Sequence, residues 1–132
     1  MSARWDLLVV DDEPVVRDAL ARVLHAEGWR TACVGSGAEA LAHEALAECR
    51  LVICDLMLPG LPGLELMRVI RARRPEVPIL AITGYPTDEV AARSASAGAT
   101  MFLAKPFDHD EVLEKVRHVL EQKDAAGKEA RP

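Results

Sequence analysis

The chain has 132 residues, 50% hydrophobic and 28% charged, which is enough for one domain with a substantial core and excludes global disorder. Lys and Arg number 16 against 21 Asp and Glu, and the net charge of -5 excludes the basic surface of nucleic-acid-binding and membrane-surface proteins. The three cysteines form no Cys-x-x-Cys pair, and neither a membrane-spanning run nor a signal peptide is visible, so we expect a cytoplasmic protein without a disulfide framework.

Five short segments predict β-strands, at residues 7–10, 29–34, 51–54, 78–82 and 100–103, and those at 7–10 and 51–54 are continuous apolar runs. Continuous apolar runs of this length are typical of strands that are buried on both faces of a sheet. The first run is stopped by the acidic sequence Asp11-Asp12-Glu13, and the third is stopped by Asp55. Both of these runs are therefore followed by acidic residues at their carboxyl ends.

Helical patterns separate these runs and follow the last of them. The first helix is predicted from Pro14, which fits the first helical position, to Gly28, and the others at 38–46, 64–74, 89–97 and 109–120. The expected N-caps of the second, fourth and fifth helices are Ser36, Thr87 or Asp88, and Asp108. Because the last residues lack periodicity, we predict a domain at 1–122 and a flexible tail or the start of a linker at 123–132.

The alternation of strand and helix, repeated five times, predicts an α/β protein. Strands separated by helices pair in parallel through right-handed crossovers, and helices then cover both faces of the sheet. The expected architecture is a three-layer sandwich with a parallel five-stranded sheet. In such sheets ligands bind at the carboxyl ends of the strands, near the point where the strand order reverses.

Polar side chains follow four of the predicted strands. Asp11 and Asp12 follow the first strand, Asp55 the third, Thr83 the fourth and Lys105 the fifth. Carboxylates gathered at one sheet edge repel one another, so they predict a bound cation, and ligands that are all oxygen favour Mg²⁺ or Mn²⁺. Such a metal recruits phosphate, which the lysine and the threonine can also bind. Because aspartate is ionised at pH 7, a carboxylate is also the candidate nucleophile, and it would form an acyl phosphate.

Four sequence pieces occur together in a recognisable order: LVVDDE at 8–13, CDLMLPG at 54–60, ITG at 82–84, and GA leading to KPF within 98–107. In this order and spacing, over residues 6 to about 121, they resemble the receiver domain of response regulators in two-component signalling. No single piece is specific, but the set is. The resemblance implies a flavodoxin-like fold with strand order 2-1-3-4-5, which agrees with the alternation above.

The resemblance implies that Asp55 is the phosphoacceptor. Asp11 and Asp12 would hold Mg²⁺ or Mn²⁺ together with Asp55 and the backbone carbonyl of Met57. The Met57 side chain stands where members of the family tune the rate at which water removes the phosphoryl group. Because methionine cannot orient a water by hydrogen bonding, we predict slow self-dephosphorylation.

Four other residues receive roles from the resemblance. Thr83 and Lys105 would bind the phosphoryl group, and the Lys105–Pro106 peptide bond is expected to be cis. Phe102 would be the aromatic switch residue that follows Thr83 when the phosphoryl group binds. These movements would reshape the surface formed by the fourth helix, the fifth strand and the fifth helix.

The implied function is a phosphorylation-activated signalling switch. A sensor histidine kinase or a histidine phosphotransfer protein would donate the phosphoryl group, and the domain would catalyse the transfer and its own slow dephosphorylation. The reshaped surface would control an output partner or domain, or pair two copies as a homodimer. We expect neither direct nucleic-acid binding nor membrane association of this domain, in line with its acidic charge.

A dinucleotide-binding oxidoreductase is an alternative, because the segment from Gly35 to Ala40 fits the pattern G-x-G-x-x-A, with Asp55 as a possible ribose-binding acid. This fingerprint normally follows the first strand of its unit, whereas here the first turn is acidic and would repel pyrophosphate. The second strand is also expected at a sheet edge, away from the point where the strand order reverses.

Two further alternatives concern the acidic site itself. A phosphohydrolase with an aspartyl nucleophile is disfavoured because Met57 stands where the common version of that chemistry has a second aspartate. A module that keeps the fold without phosphorylation is disfavoured because the complete set of candidate site residues is present: Asp11, Asp12, Asp55, Thr83 and Lys105.

Overall fold

A five-stranded parallel sheet forms the centre of the molecule. The computed structural model describes residues 4–129, with side chains from 4 to 121. The strands are β1 (Leu7–Val10), β2 (Thr31–Val34), β3 (Leu51–Asp55), β4 (Ile79–Thr83) and β5 (Met101–Ala104). Their order in the sheet is β2-β1-β3-β4-β5, and every neighbouring pair is parallel, which confirms the predicted topology.

The helices are α1 (Pro14–Ala26), α2 (Gly37–Ala42), α3 (Ala45–Glu48), α4 (Gly63–Arg73), α5 (Asp88–Ala97) and α6 (His109–Glu129). The prediction of one continuous second helix over 38–46 is wrong, because it is divided into α2 and α3. His43 leaves the helical conformation with φ -83° and ψ 136°, and its Nδ1 accepts a hydrogen bond from the Ala45 amide at 3.0 Å. This local bond competes with the continuous helix that the alanines and leucines favour. Because the second predicted helix is divided, the fourth and fifth predicted helices correspond to α5 and α6.

The last helix continues past the predicted end of the domain at residue 122, as far as Glu129. Lys, Glu and Ala are strong helix formers, so this segment is helical without an apolar repeat. Residues 130–132 of the expected tail lie outside the described residues, and the division at 122 stays a prediction. Among the described helices, none combines the length and the hydropathy that a membrane span requires.

The two faces of the sheet bury separate apolar layers. Leu7 and Val9 of β1 point towards α1 and α6, whose buried residues include Leu24 and Val116. Leu8 and Val10 point to the opposite face and pack with buried residues of α2, α3 and α4, such as Met67. Because both faces are covered, the strands read as continuous apolar runs, and the three-layer prediction is confirmed.

Three side-chain caps hold helix starts near the carboxyl edge of the sheet. The hydroxyls of Ser36 and Thr87 accept hydrogen bonds from backbone amides three residues later, at 3.2 and 3.1 Å. The Asp108 carboxylate accepts the Glu111 amide at 2.8 Å. These caps satisfy amides that a helix leaves without partners in its first turn, as predicted from the residue types.

Candidate functional site

The parallel sheet brings the predicted polar residues to one edge. Asp11 follows β1, Asp55 ends β3, Thr83 ends β4 and Lys105 follows β5, and these strands are neighbours in the sheet. The side chains of Asp11 and Asp55 are among the few buried charged groups, with 1% and 3% of each residue exposed. Two carboxylates are thus withdrawn from water next to each other, which is costly unless cations compensate them.

Lys105 is the cation that the structure places in this cluster. Its Nζ lies 2.7 Å from Oδ2 of Asp55, 2.9 Å from Oε1 of Glu13 and 3.3 Å from Oδ2 of Asp11. Burial alone would lower the pKa of Lys105, but the hydrogen bonds to Asp55 and Glu13 and the nearby carboxylates outweigh burial and raise it. Lys105 therefore stays an ammonium ion at the floor of the site.

The two buried carboxylates are each held by a backbone amide. The Glu13 amide donates to Oδ1 of Asp11 at 2.9 Å, and the Met57 amide donates to Oδ1 of Asp55 at 2.9 Å. Oδ2 of Asp11 is buried and, beyond its ion pair with Lys105 at 3.3 Å, has no hydrogen-bond partner among the described residues. Burial raises the pKa of Asp11 to about 6, and the charge of Asp55 adds to this effect.

The acidic cluster fits a hard divalent cation. Asp11, Asp12, Glu13 and Asp55 each offer a carboxylate oxygen, and these four oxygens all lie within 4.8 Å of one another. Asp12 and Glu13 are exposed, so the cluster opens to solvent on one side. Oδ2 of Asp11 makes only an ion pair with Lys105 at 3.3 Å among the described residues, so it has lone pairs left for a cation. A donor set of oxygens alone suits Mg²⁺, Mn²⁺ or Ca²⁺.

Thr83 and Phe102 are predicted site residues that do not contribute to the acidic cluster. The buried Thr83 hydroxyl accepts a hydrogen bond from the Tyr85 amide at 3.0 Å, and the Thr83 carbonyl accepts the Lys105 amide at 2.7 Å. Phe102 is half-buried on β5 and helps to line a groove of about 240 Å³ between α5 and β5. The Lys105–Pro106 peptide bond is cis.

Exposed apolar side chains surround the opening of the site. Val15 on α1 is 80% exposed, Met57 after β3 is 61% exposed and Tyr85 after β4 is 64% exposed. Beside Val15, a groove of about 530 Å³ runs to Pro106 and Phe107 and has a mostly apolar lining. The Met57 side chain therefore points away from the core, while its backbone amide holds Asp55.

Two residues that the predicted site did not include are Glu13, which belongs to the acidic cluster, and Arg17, which lies beside it. Glu13 is an ion-pair partner of Lys105, and Arg17 donates from Nη1 to the carbonyl of Asp11 at 2.9 Å. Glu13 is visible in the sequence as the third member of the acidic turn. Arg17 follows Glu13 by four residues, and this helical spacing could have indicated that the Arg17 side chain reaches back to the acidic residues 11–13.

The glycines of the alternative dinucleotide motif have packing partners. They follow β2, which is an edge strand as predicted, and the helix after them, α2, has only six residues. A Cβ atom at Gly37 would lie 3.0 Å from the Leu61 side chain, and one at Gly35 would lie 2.8 Å from Arg17. Close packing accounts for both glycines, so the motif needs no nucleotide to explain it.

Known proteins match this chain over most of its length. The family model of the response regulator receiver domain matches residues 7–117. The DNA-binding response regulator MtrA of Mycolicibacterium smegmatis is 40% identical over 116 residues, which are 86% of this chain and 50% of MtrA. A CheY-like receiver domain protein from Methanospirillum hungatei JF-1 has a TM-score of 0.86 at 28% identity, with 94% of this chain and 99% of that chain covered.

The BeF3-activated DrrB receiver domain has a similar structure, with a TM-score of 0.83 at 29% identity and coverage of 90% of this chain and 99% of that domain. The chain spans about half the length of MtrA, whereas it covers nearly all of the two solved receiver domains. The part of MtrA that the chain matches is thus one portion of a longer regulator.

Proposed function

This chain belongs to the response regulator receiver family, and on that basis we propose that Asp55 accepts a phosphoryl group from a sensor histidine kinase or a histidine phosphotransfer protein. The observation that carries the proposal is the buried Asp55 carboxylate, bound at 2.7 Å by Lys105 and at 2.9 Å by a backbone amide. An oxygen of Asp55 attacks phosphorus while the bond from phosphorus to the donor's imidazole nitrogen breaks, and the nitrogen keeps the electron pair.

Each neighbouring group has a task in this transfer. Lys105 orients Asp55 before the reaction and, once Asp55 is an acyl phosphate, donates to a phosphoryl oxygen instead. The Thr83 hydroxyl leaves its contact with the Tyr85 amide and donates to a second phosphoryl oxygen. The buried position of Asp55 keeps bulk water from competing at the carboxylate.

We assign the metal as Mg²⁺ or Mn²⁺, held by Asp11, Asp12, Asp55 and the backbone carbonyl of Met57. When bound, it offsets the repulsion between the attacking carboxylate and the phosphoryl oxygens. The buried Oδ2 of Asp11, which no hydrogen bond of the described residues satisfies beyond the ion pair with Lys105, and the four converging carboxylates support this assignment.

The switch that follows phosphorylation lies in the surface of α5, β5 and α6. Movement of Thr83 towards the phosphoryl group opens space on β4, and Phe102 turns inward from its half-buried position. Of the side chains of α5, all of which are described, only Ser94 and Ala97 are buried. A helix that buries so little is easily displaced, so this surface can take up two arrangements and bind an output partner or a second copy.

Acetyl phosphate tests the proposed function directly. We expect the wild-type chain to form an acid-stable, base-labile acyl phosphate with this donor when Mg²⁺ is present, and intact-mass spectrometry detects the product. Removing the metal with EDTA should abolish the product, because the carboxylates then repel the donor. Labelling that is absent with Mg²⁺, or unaffected by EDTA, would refute the proposed chemistry.

Met57→Asn is expected to shorten the lifetime of the acyl phosphate about 3- to 10-fold. The exposed Met57 side chain cannot bind water, whereas an amide at this position can orient one towards phosphorus, and one such hydrogen bond contributes about 1 kcal/mol. The measurement is the decay of the phosphorylated species after the donor is removed. Val15→Asn, at another exposed apolar position beside the site, is the matched control and should decay like the wild type. An unchanged lifetime in Met57→Asn contradicts the prediction.

A further inference from the structure

The turn that carries Asp11 and Asp12 is held by a side chain outside the proposed ligand set. The Arg17 guanidinium reaches back from α1, and its Nη1 donates to the backbone carbonyl of Asp11 at 2.9 Å. From this contact we infer that Arg17 is a positioning residue, which keeps the turn in the conformation that binds the divalent cation. The inference rests on the proposed function, since it concerns the same metal.

Hydrogen bonds fix the turn from both ends. The Asp11 amide donates to the Val34 carbonyl at 3.1 Å, and Oδ1 of Asp11 accepts the Glu13 amide at 2.9 Å. The carbonyl of Asp11 comes after the last residue of β1, and Arg17 supplies its donor. Without the guanidinium this peptide group can rotate, and rotation would move the carboxylates of Asp11 and Asp12, because they are attached on either side of it.

Gly35 gives a second, independent indication of the same role. A Cβ atom at this position would lie 2.8 Å from Nη1 of Arg17, closer than real Cβ contacts allow. Among the described glycines, the positive φ angles belong to Gly28, Gly60 and Gly98, so the backbone at Gly35 does not itself call for glycine. A Cβ atom there would displace the flexible end of the Arg17 side chain from its present position. A glycine at the end of β2 therefore leaves room for the guanidinium above the turn.

A positioning role and a purely electrostatic role of Arg17 predict opposite changes in metal affinity when the guanidinium is removed. If the guanidinium acted mainly as a cation near the cluster, its loss would strengthen metal binding, because one competing positive charge would be gone. If it positions the turn, its loss weakens metal binding, as the loss of outer groups that orient metal ligands generally does. The structure favours positioning, since Arg17 binds a carbonyl of the turn.

The test is a titration of the metal-free full chain with Mn²⁺ in the absence of any phosphodonor. Electron paramagnetic resonance measures the bound Mn²⁺. Arg17→Met should raise the Kd for Mn²⁺ about 10-fold or more. Gly35→Ala should also raise it, because the new methyl group displaces the guanidinium. The double variant should bind no more weakly than Arg17→Met alone, since both changes break one contact. The control Arg22→Met removes an exposed arginine from the same helix and should leave the Kd within about twofold.

A spectroscopic measurement separates positioning from general destabilisation. In the metal-free protein, the ¹³C chemical shift of the Asp11 carbonyl should change in Arg17→Met and in Gly35→Ala, and it should not change in Arg22→Met. If Arg17→Met does not fold, Gly35→Ala decides, because it keeps every charged group.

The possible outcomes distinguish the inference from the proposed function. Wild-type protein that does not bind Mn²⁺ would overturn the proposed metal site. Wild-type binding together with unchanged or tighter binding in Arg17→Met, or with losses that add in the double variant, would overturn the role of Arg17 alone.

Discussion

Asp55→Asn is expected to reduce phosphorylation by acetyl phosphate at least about a hundredfold, to the limit of detection. Asparagine has nearly the same shape as aspartate, but its neutral amide is not a nucleophile towards phosphorus. It also accepts the Lys105 hydrogen bond at 2.7 Å less strongly, because the bond is no longer charge-assisted. Intact-mass spectrometry of the variant after incubation with the donor and Mg²⁺ gives the yield.

Two controls test whether the loss of phosphorylation is specific to Asp55. Asp18→Asn changes an exposed aspartate on α1 and should be phosphorylated like the wild type. Thermal unfolding of Asp55→Asn should show a folded protein, because removing one of two adjacent buried carboxylates relieves repulsion between them. Full labelling of Asp55→Asn would mean that another residue accepts the phosphoryl group and would overturn the assignment.

Asp11→Asn is expected to weaken Mg²⁺ binding about a hundredfold and to stabilise the metal-free protein at the same time. The first effect follows from the loss of a charged ligand in a cluster of four carboxylates. The second follows from the pKa of Asp11, which burial raises from 3.8 to about 6. Keeping this group ionised at pH 7 thus lowers the free energy of unfolding, by about 1 to 3 kcal/mol.

The pH dependence of this stabilisation has a definite sign. Below pH 4 Asp11 is protonated in the folded and the unfolded protein, and the wild type and Asp11→Asn should have similar free energies of unfolding. Between pH 4 and about 6 the unfolded chain loses the proton first, so the wild type loses stability as the pH rises while the variant does not. Above pH 6 the difference should be constant.

Urea unfolding with and without Mg²⁺ measures both effects of Asp11→Asn. At a concentration of 100 times the Kd, Mg²⁺ should add about 2.7 kcal/mol to the wild type and little to the variant. The exposed Asp18→Asn again serves as the control, with the wild-type response to Mg²⁺. A metal-free Asp11→Asn that is less stable than the wild type at pH 7 would contradict the electrostatic account.

The strands and the location of the site were predictable because each depends on local sequence. Strands buried on both faces must be apolar throughout, so β1 and β3 are visible as runs that end at acidic residues. Parallel pairing then brings their carboxyl ends to one edge, and with the strand order that the receiver resemblance implies, the juxtaposition of Asp11 with Asp55 follows without coordinates. The division of the second helix was not predictable from residue propensities, since it depends on one side-chain hydrogen bond of His43.

By itself, then, the sequence determined the α/β class and the set of residues at the carboxyl edge, because apolar periodicity and connection rules constrain these features, and its resemblance to the receiver family supplied the strand order. Only the tertiary structure decided that Lys105 also binds Glu13, that Oδ2 of Asp11 is buried 3.3 Å from the Lys105 ammonium, and that Arg17 lies over Gly35. Such contacts join residues far apart in the chain, and their distances depend on how helices and loops pack. A local sequence pattern therefore does not determine those distances.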